Sequence, residues 1–203
     1  MRGAVGFDLD MTLIDSRPGI HAAYRALTAK TGVFVDADLA VTRLGPPLRT
    51  ELSEWFPAAD VEEAVTTYRA LYREYAITPT VAAAGAAEAL AAVRELGLRV
   101  VVVTSKLGTL AQVHLDHLGM TADELAGDLF AEGKATALTE YDVRWYVGDH
   151  VADMVAARTA GVPGIGLTTG PCSADELRAA GASYVLPDLI PFPELLREIA
   201  VGP

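Results

Sequence analysis

The stretch AVGFDLDMTLIDS, residues 4–16, decides the fold because an apolar run ends there in two carboxylates. Residues 4–7 have the composition of a short buried strand, and Asp8 and Asp10 follow it one residue apart. Side chains two positions apart on an extended chain leave the same side, so both carboxylates are expected to enter one space. The pair is either a solvated turn or part of a site that requires concentrated negative charge.

Further apolar runs follow at residues 98–103, 143–147 and 164–167. Continuous runs of this length are typical of strands that are buried on both faces of a parallel sheet. The sequences TADE from Thr121 and SADE from Ser173 match the capping box of a helix start. The alternation of strands and helices predicts a doubly wound α/β fold with a parallel sheet. The predicted helices between and after the strands cover residues 84–96, 108–118, 150–160 and 173–180.

One long interval interrupts this alternation. The apolar periodicity of residues 18–80 is helical, over 18–30, 36–43, 47–56 and 60–76. A crossover between neighbouring parallel strands needs only about a dozen residues, so the longer interval predicts an inserted helical domain. We therefore predict an α/β core domain of residues 1–16 and 82–203. A helical cap domain of residues 17–81 would lie over the carboxyl ends of the strands, where α/β proteins bind ligands.

The composition limits the class of partner. The chain has 203 residues, is 51% hydrophobic and carries a formal net charge of −11. The acidic balance argues against nucleic acid or an anionic membrane surface as partner. Cys172 is the single cysteine, so no internal disulfide is possible, and no signal-like or membrane-spanning apolar run is present. We expect a cytoplasmic protein, monomeric or homodimeric, that acts on a small molecule.

Polar side chains also follow the later strands, at the ends that converge on one crevice in a parallel sheet. With the first pair, this crevice would hold up to four carboxylates, a hydroxyl and at least one ammonium group. Bare carboxylates repel one another in a partly desolvated site. A hard divalent cation relieves that repulsion, and Mg²⁺ suits carboxylate, carbonyl and water oxygens beside a phosphate. The residues concerned are Thr104, Ser105, Lys106, Lys134, Asp149 and Asp153.

Four motifs resemble those of the haloacid dehalogenase-like hydrolases, a superfamily with a Rossmann-like core. DLDMTLIDS is similar to the first motif, D-x-D-x-T-(L/V), and GDHVAD (148–153) to the fourth, G-D-x-x-x-D. Thr104 after four valines matches the second motif, and Lys134 matches the third. The insert corresponds to the family's small helical cap. RLGPPL and VVTSK make the chain most similar to the phosphoglycolate phosphatase and β-phosphoglucomutase branch.

This resemblance implies a role for each matched residue. Asp8 would be the nucleophile that forms an aspartyl-phosphate, and Asp10 would be the general acid and then the base. The Asp8 carboxylate, the Asp10 main-chain carbonyl and Asp149 would bind Mg²⁺, with Asp153 as a ligand or a supporting group. The phosphate oxygens would be held by Thr104, Ser105 and Lys134.

Other residues keep two interpretations. Arg43 and Arg49, which flank LGPPL, can reach an anionic substrate from the cap or can face solvent. Lys106 matches the lysine of the branch's T-N-K triplet and has the same two possibilities. Met11 stands where the family most often has glycine, and we expect the turn to tolerate it. His150 stands where a hydroxyl residue is usual, and we assign it no role.

Two further groups are interpreted as packing rather than chemistry. His114 and His117 lie one turn apart, but no third ligand is evident and their segment forms an amphipathic helix pattern. Aromatic residues of the insert are expected to pack within it. They are Trp55, Tyr68, Tyr72 and Tyr75.

The leading hypothesis is a Mg²⁺-dependent phosphatase that acts on a small phosphorylated metabolite similar to phosphoglycolate. A sugar phosphomutase of the β-phosphoglucomutase type is the alternative within the superfamily because it shares the motifs. From a different class, a signalling receiver domain also gathers Asp, Thr and Lys around Mg²⁺, but the order of these residues along the chain argues against it. A non-catalytic protein that binds phosphate and Mg²⁺ is disfavoured because every expected catalytic residue is present.

Overall fold

The architecture is a parallel sheet flanked by helices. The computed structural model describes residues 3–200, and within that range six strands pair in parallel. A separate antiparallel ribbon is formed by two very short strands. In chain order the strands are β1 (Ala4–Phe7), β2 (Ile14–Asp15), β3 (Val81–Ala82), β4 (Arg99–Val103), β5 (Glu124–Ala126), β6 (Val143–Gly148), β7 (Gly164–Leu167) and β8 (Ala182–Leu186).

The order of the strands places β1 at the centre of the sheet. The sheet runs β5-β4-β1-β6-β7-β8, so the chain builds outward from β1 on one side and then returns to its other side. Ligands bind outside the carboxyl ends of the strands where such a reversal occurs. The residues that follow β1, β4 and β6 are therefore the ones that meet. The predicted doubly wound α/β class is confirmed.

The helices fall into two groups along the chain. Before β3 they follow one another without a sheet strand between them, and after β3 they alternate with the strands. The first group is α1 (Arg17–Thr31), α2 (Ala37–Ala40) with the 3₁₀ turn Val41–Arg43, α3 (Leu48–Leu52) and α4 (Val61–Tyr75). The second is α5 (Ala86–Glu95), α6 (Gly108–His117), α7 (Glu132–Glu140), α8 (Val151–Ala160), α9 (Ala174–Ala180) and α10 (Phe192–Ala200).

Separate apolar clusters hold these layers together. Val100 and Val102 pack on one face of the sheet, while Val101 and Val103 pack on the other, as the two-residue period of a strand requires. The helices before β3 have a cluster of their own, to which Leu110 of α6 also belongs. The ribbon β2–β3 lies where this helical segment leaves and rejoins the sheet. The limits proposed for a cap at 17–81 stay a prediction.

The sequence patterns predicted one element wrongly and did not predict several others. Thr121 does not cap a helix, because Glu124 of the TADE sequence begins β5. Ser173 does cap α9, and its hydroxyl and Glu176 form the reciprocal capping box. The predictions did not include β5, β8 or α10. Among the described residues, no helix combines the length and the hydropathy that a bilayer crossing requires.

Candidate active site

Three buried carboxylates form the centre of the site. Asp8 follows β1, Asp149 follows β6, and Asp153 lies in the first turn of α8. One carboxylate oxygen from each lies within 4.8 Å of the others. These residues are the ones expected at the converging strand ends, and such a cluster can hold a metal ion. The side chain of Asp10 does not belong to this cluster, and the binding of a metal by its main-chain carbonyl stays a prediction.

Crowding and burial change the acidity of these groups. Burial raises the pKa of Asp8 to about 6, against the opposing effect of the Lys134 charge. Burial and the charges of Asp8 and Asp153 hold the pKa of Asp149 well above its ordinary value. A bound cation would stabilise the charged forms of these carboxylates. Carboxylate oxygens are among the ligands that Mg²⁺ prefers. The donor set therefore fits Mg²⁺.

Lys134 and Thr12 contact the carboxylates of the acidic cluster. The Lys134 ammonium donates to Asp153 Oδ1 at 2.7 Å and lies 3.1 Å from Asp8 Oδ1. Thr12 Oγ1 donates to Asp149 Oδ1 at 2.9 Å. Gly170 packs directly on the Asp149 carboxylate, where a β-carbon would overlap it. The importance of Gly170 was missed, because nothing in its local sequence indicates a contact with Asp149.

Asp10 is held apart from the cluster by a different cation. The Lys106 ammonium lies 3.0 Å from Asp10 Oδ1. Burial acts to raise the pKa of Asp10, but the Lys106 charge and the Ser16 hydroxyl together outweigh it, and the pKa lies below its ordinary value. Lys106 is itself almost fully buried, with 8% of its side chain exposed. The structure thus places Lys106 beside the candidate acid–base residue rather than in solvent.

A chain of contacts leads from Lys106 into the helical segment. Its ammonium donates to the Tyr72 hydroxyl at 2.8 Å, and that hydroxyl lies 2.9 Å from Nε2 of His114. Tyr72 belongs to α4 and His114 to α6. The prediction that Tyr72 packs only within the insert was therefore incomplete. Tyr75, placed in the same group, is 41% exposed and does not belong to the buried core.

The remaining phosphate-site candidates differ in exposure. Thr104 is fully buried, and its hydroxyl accepts the main-chain N–H of Lys106 at 3.2 Å. Ser105 faces a cavity, and its hydroxyl donates to the Gly45 carbonyl at 3.3 Å. Thr104 is placed to shape the loop that carries Ser105 and Lys106. Their assignment to phosphate binding stays a prediction.

The two departures from the family pattern each have a structural role. Met11 adopts a left-handed conformation with a φ of 60°, which favours glycine, and its side chain is buried. Its carbonyl accepts a hydrogen bond from Thr169 at 2.5 Å. His150 caps α8, since its Nδ1 accepts the N–H of Ala152 at 3.1 Å. Gly45 approaches the His150 ring so closely that a β-carbon there would lie 2.7 Å from it.

A cavity of about 340 Å³ opens above the acidic cluster. Asp8, Asp10 and Asp149 line one end, and residues of α1–α4 line the other. Arg43 and Arg49 both lie in this second wall, where each is paired with a glutamate. Arg43 Nη2 donates to Glu51 at 2.6 Å, and Arg49 Nη2 donates to Glu62 at 2.8 Å. The two sequence interpretations of these arginines, contact with an anionic substrate or with solvent, did not include the glutamate partners.

Comparison with known proteins identifies the family. The model of haloacid dehalogenase-like hydrolases matches residues 3–161. The chain is a haloacid dehalogenase-like hydrolase. It is 31% identical to the probable phosphatase IndB of Dickeya dadantii, over 92% of this chain and 90% of that protein. It is 28% identical to a phosphoglycolate phosphatase of Caulobacter vibrioides, over 94% and 89%.

Solved structures agree with this family. A crystal structure of a predicted phosphatase from Clostridium acetobutylicum superposes with a TM-score of 0.84 at 26% identity, covering 98% of this chain and 99% of that one. The hydrolase belongs to the phosphoglycolate phosphatase and phosphoglucomutase-like branch, as its motifs predicted. It is a phosphatase, an enzyme that hydrolyses phosphoric monoesters.

Proposed function

We propose that this phosphatase hydrolyses the phosphomonoester of a small metabolite through an aspartyl-phosphate on Asp8, with Mg²⁺ as cofactor. The observation that carries the proposal is the position of the Asp8 carboxylate. It lines the cavity, within 4.8 Å of a carboxylate oxygen of Asp149 and of Asp153, and 3.1 Å from the Lys134 ammonium. A phosphoryl group there would meet a nucleophile and positive charge together. The relatives named phosphoglycolate phosphatase support a small phosphorylated metabolite as substrate.

The reaction then takes two steps. A carboxylate oxygen of Asp8 attacks phosphorus, the bond from phosphorus to the ester oxygen breaks, and Asp10 gives a proton to the departing alkoxide. Water next attacks phosphorus, the bond to Asp8 breaks, and Asp10 takes the proton from water. Lys106 favours the ionised Asp10 that the second step uses. A bound phosphate dianion would favour the protonated form that the first step uses, because it repels a second negative charge.

The cation site follows from the same residues. Asp8, Asp149 and Asp153, with the Asp10 main-chain carbonyl, would hold Mg²⁺. When bound, it supplies positive charge that screens the phosphate oxygens from the Asp8 carboxylate. The Lys134 ammonium would also supply positive charge to the phosphate oxygens while it orients Asp153.

The direct test is the release of inorganic phosphate from p-nitrophenyl phosphate. We expect activity that EDTA removes and Mg²⁺ restores, and an increase in melting temperature when Mg²⁺ is added to the metal-free protein. Asp8→Asn should abolish phosphate release, whereas Asp116→Asn, at an exposed position on α6, should retain it. Wild-type activity in Asp8→Asn would exclude Asp8 as nucleophile. A phosphomutase would return phosphate to a sugar instead of releasing it.

A further inference from the structure

In the wall of the cavity that faces away from the acidic cluster, which we call the balanced wall, positive side chains are paired with negative ones. Among the described residues, each arginine that lines the cavity lies beside an acidic residue that also lines it. The three pairs are Arg43–Glu51 at 2.6 Å, Arg49–Glu62 at 2.8 Å and Arg69–Asp128 at 3.8 Å. The remaining cation of the lining, Lys106, is paired with Asp10.

The Arg43–Glu51 pair is the most enclosed of the three. Only 13% of the Glu51 side chain is exposed. Glu51 also accepts a hydrogen bond from Trp55 Nε1 at 3.0 Å, and the Arg43 guanidinium lies over the Trp55 ring at 5.6 Å. Three contacts thus fix both charges in place. A second anion entering here would have to compete with Glu51 for the Arg43 guanidinium. Displacement of Glu51 would leave its largely buried carboxylate without a cation, which costs free energy.

The rest of this wall is apolar or carries uncharged hydroxyl groups. The Tyr24 and Tyr68 rings lie 4.7 Å apart at their centroids and contribute one side of it. Thr66 and Ser105 contribute hydroxyls. Small-molecule pockets are typically lined by apolar and aromatic side chains with a few polar groups that orient the ligand. This wall therefore suits an alcohol with a largely apolar surface. The apolar residues of the lining include Ile20, Leu44, Leu48, Val65, Leu107 and Leu110.

We propose that this cavity selects phosphomonoesters of uncharged, partly apolar alcohols and discriminates against substrates with a second anionic group, such as the carboxylate of phosphoglycolate. The inference rests on the proposed phosphatase function and specifies its substrate class. The phosphoryl group would lie at the Asp8 end, where Lys106 and Lys134 supply positive charge. The alcohol would occupy the balanced wall. Arg43 and Glu51 are then specificity determinants, because together they cancel the charge that a carboxylate would need.

The test compares two esters that differ in a single charge. Benzyl phosphate and the same ester with a carboxylate in the para position of the ring are assayed with the Mg²⁺-supplemented enzyme. Phosphoglycolate is the third substrate. We expect kcat/KM for benzyl phosphate to exceed that for each carboxylate-bearing substrate by at least about tenfold, the ratio that 1.4 kcal/mol of discrimination produces. Equal values, or a preference for a carboxylate-bearing substrate, would overturn the proposal.

A variant tests the residues that set the preference. Glu51→Gln removes the partner charge of Arg43, so the ratio of kcat/KM between the neutral and the carboxylated ester should fall by about tenfold or more. Glu54→Gln changes an exposed acid in the same segment and should leave the ratio as in the wild type. An unchanged ratio in folded Glu51→Gln would contradict the assignment of this pair. If Glu51→Gln does not fold, the comparison of the three substrates with wild-type enzyme decides alone.

Failure of the substrate class and failure of the proposed function give different results. Hydrolysis of p-nitrophenyl phosphate together with a preference for the carboxylated ester leaves the phosphatase intact and refutes only the substrate class. Absence of Mg²⁺-dependent hydrolysis for every ester refutes the proposed function, and the substrate class with it.

Discussion

Lys106 contacts Tyr72 and thereby joins the candidate acid–base residue to the helical segment. Its ammonium lies 3.0 Å from Asp10 and donates to the Tyr72 hydroxyl at 2.8 Å, with the Tyr72 ring 4.6 Å from the same nitrogen. Lys106 follows β4, whereas Tyr72 belongs to α4. The ammonium that orients Asp10 is therefore itself oriented by a helix that lines the substrate cavity. This arrangement couples the geometry of Asp10 to the position of α4.

Removal of the Tyr72 hydroxyl should loosen this arrangement without removing the ring. In Tyr72→Phe, Lys106 loses one acceptor and Nε2 of His114 loses its partner. We expect the free energy of unfolding to fall by about 1–3 kcal/mol, the cost of leaving a buried polar group unsatisfied. We also expect kcat for p-nitrophenyl phosphate to fall several-fold. Urea denaturation and steady-state kinetics measure the two effects.

Tyr75→Phe is the matched control, because Tyr75 lies on the same helix with 41% of its surface exposed. It should leave both quantities near their wild-type values. If Tyr72→Phe has the same kcat and the same stability as Tyr75→Phe, the Tyr72–Lys106 contact does not orient Asp10.

The sequence was sufficient for the parts of the site that follow strands. Asp8, Thr104 and Asp149 each follow an apolar run, and the convergence of parallel strand ends brings such residues together without further information. Lys134 could be placed only by the family motif, because its position in α7 has no strand signal of its own. Strands β5 and β8 lie at the edges of the sheet and are partly exposed, and β5 has only three residues, so their sequences carry little apolar periodicity.

Contacts between distant segments could not be predicted from local patterns. Tyr72 and Lys106 are 34 residues apart, and Gly170 and Asp149 are 21 apart along different elements. Arg43 and Glu51 are closer, but Arg43 ends a 3₁₀ turn and Glu51 lies in α3 beyond a loop, so no helical spacing indicates the pair. Whether a lysine or arginine side chain is ion-paired depends on such contacts. The substrate class therefore had to be inferred from the structure.

The strained turn at Met11 allows a separate prediction about stability. A left-handed conformation costs a residue with a β-carbon about 1–2 kcal/mol, which glycine avoids. Met11→Gly and Met11→Ala both remove the buried side chain, but only the glycine variant relieves the backbone. Glycine also loses about 0.5–1 kcal/mol more conformational entropy on folding. We expect Met11→Gly to be more stable than Met11→Ala by up to about 1 kcal/mol in urea denaturation, with both less stable than the wild type. The reverse order of the two variants would show that the turn carries no such strain.

Gly170 should be required for the position of the Asp149 carboxylate. A methyl group in Gly170→Ala would overlap that carboxylate and displace it from Asp8 and Asp153. Changes of this kind around a metal ligand typically lower metal affinity by about 10–100-fold. We therefore expect the Mg²⁺ concentration for half-maximal activity to rise by at least about tenfold.

Gly108→Ala provides the control for Gly170→Ala. Its β-carbon would meet the nearest heavy atom at 3.8 Å, an ordinary contact distance, and Gly108 lies at the start of α6. This variant should keep the wild-type Mg²⁺ dependence. An unaltered dependence in Gly170→Ala as well would mean that Asp149 tolerates displacement or does not contact the cation.

His114 should make the stability of the protein sensitive to mild acid. Burial, assisted by the Lys106 charge, lowers the pKa of His114 from 6.5 to about 4, so the folded protein keeps this ring neutral while the unfolded chain takes up a proton. The stabilisation is therefore complete above pH 6.5 and is lost as the pH falls towards 4, at up to about 1.4 kcal/mol per pH unit. Urea denaturation between pH 7.5 and 4.5 measures this slope. The raised pKa values of Asp8 and Asp149 act in the opposite direction over this range, so the readout is the change from the wild-type slope. His114→Gln should remove the His114 contribution of close to one proton, whereas replacement of the exposed His117 by Gln should not change the slope. A slope in His114→Gln equal to that of the wild type would show that His114 does not stay neutral on folding.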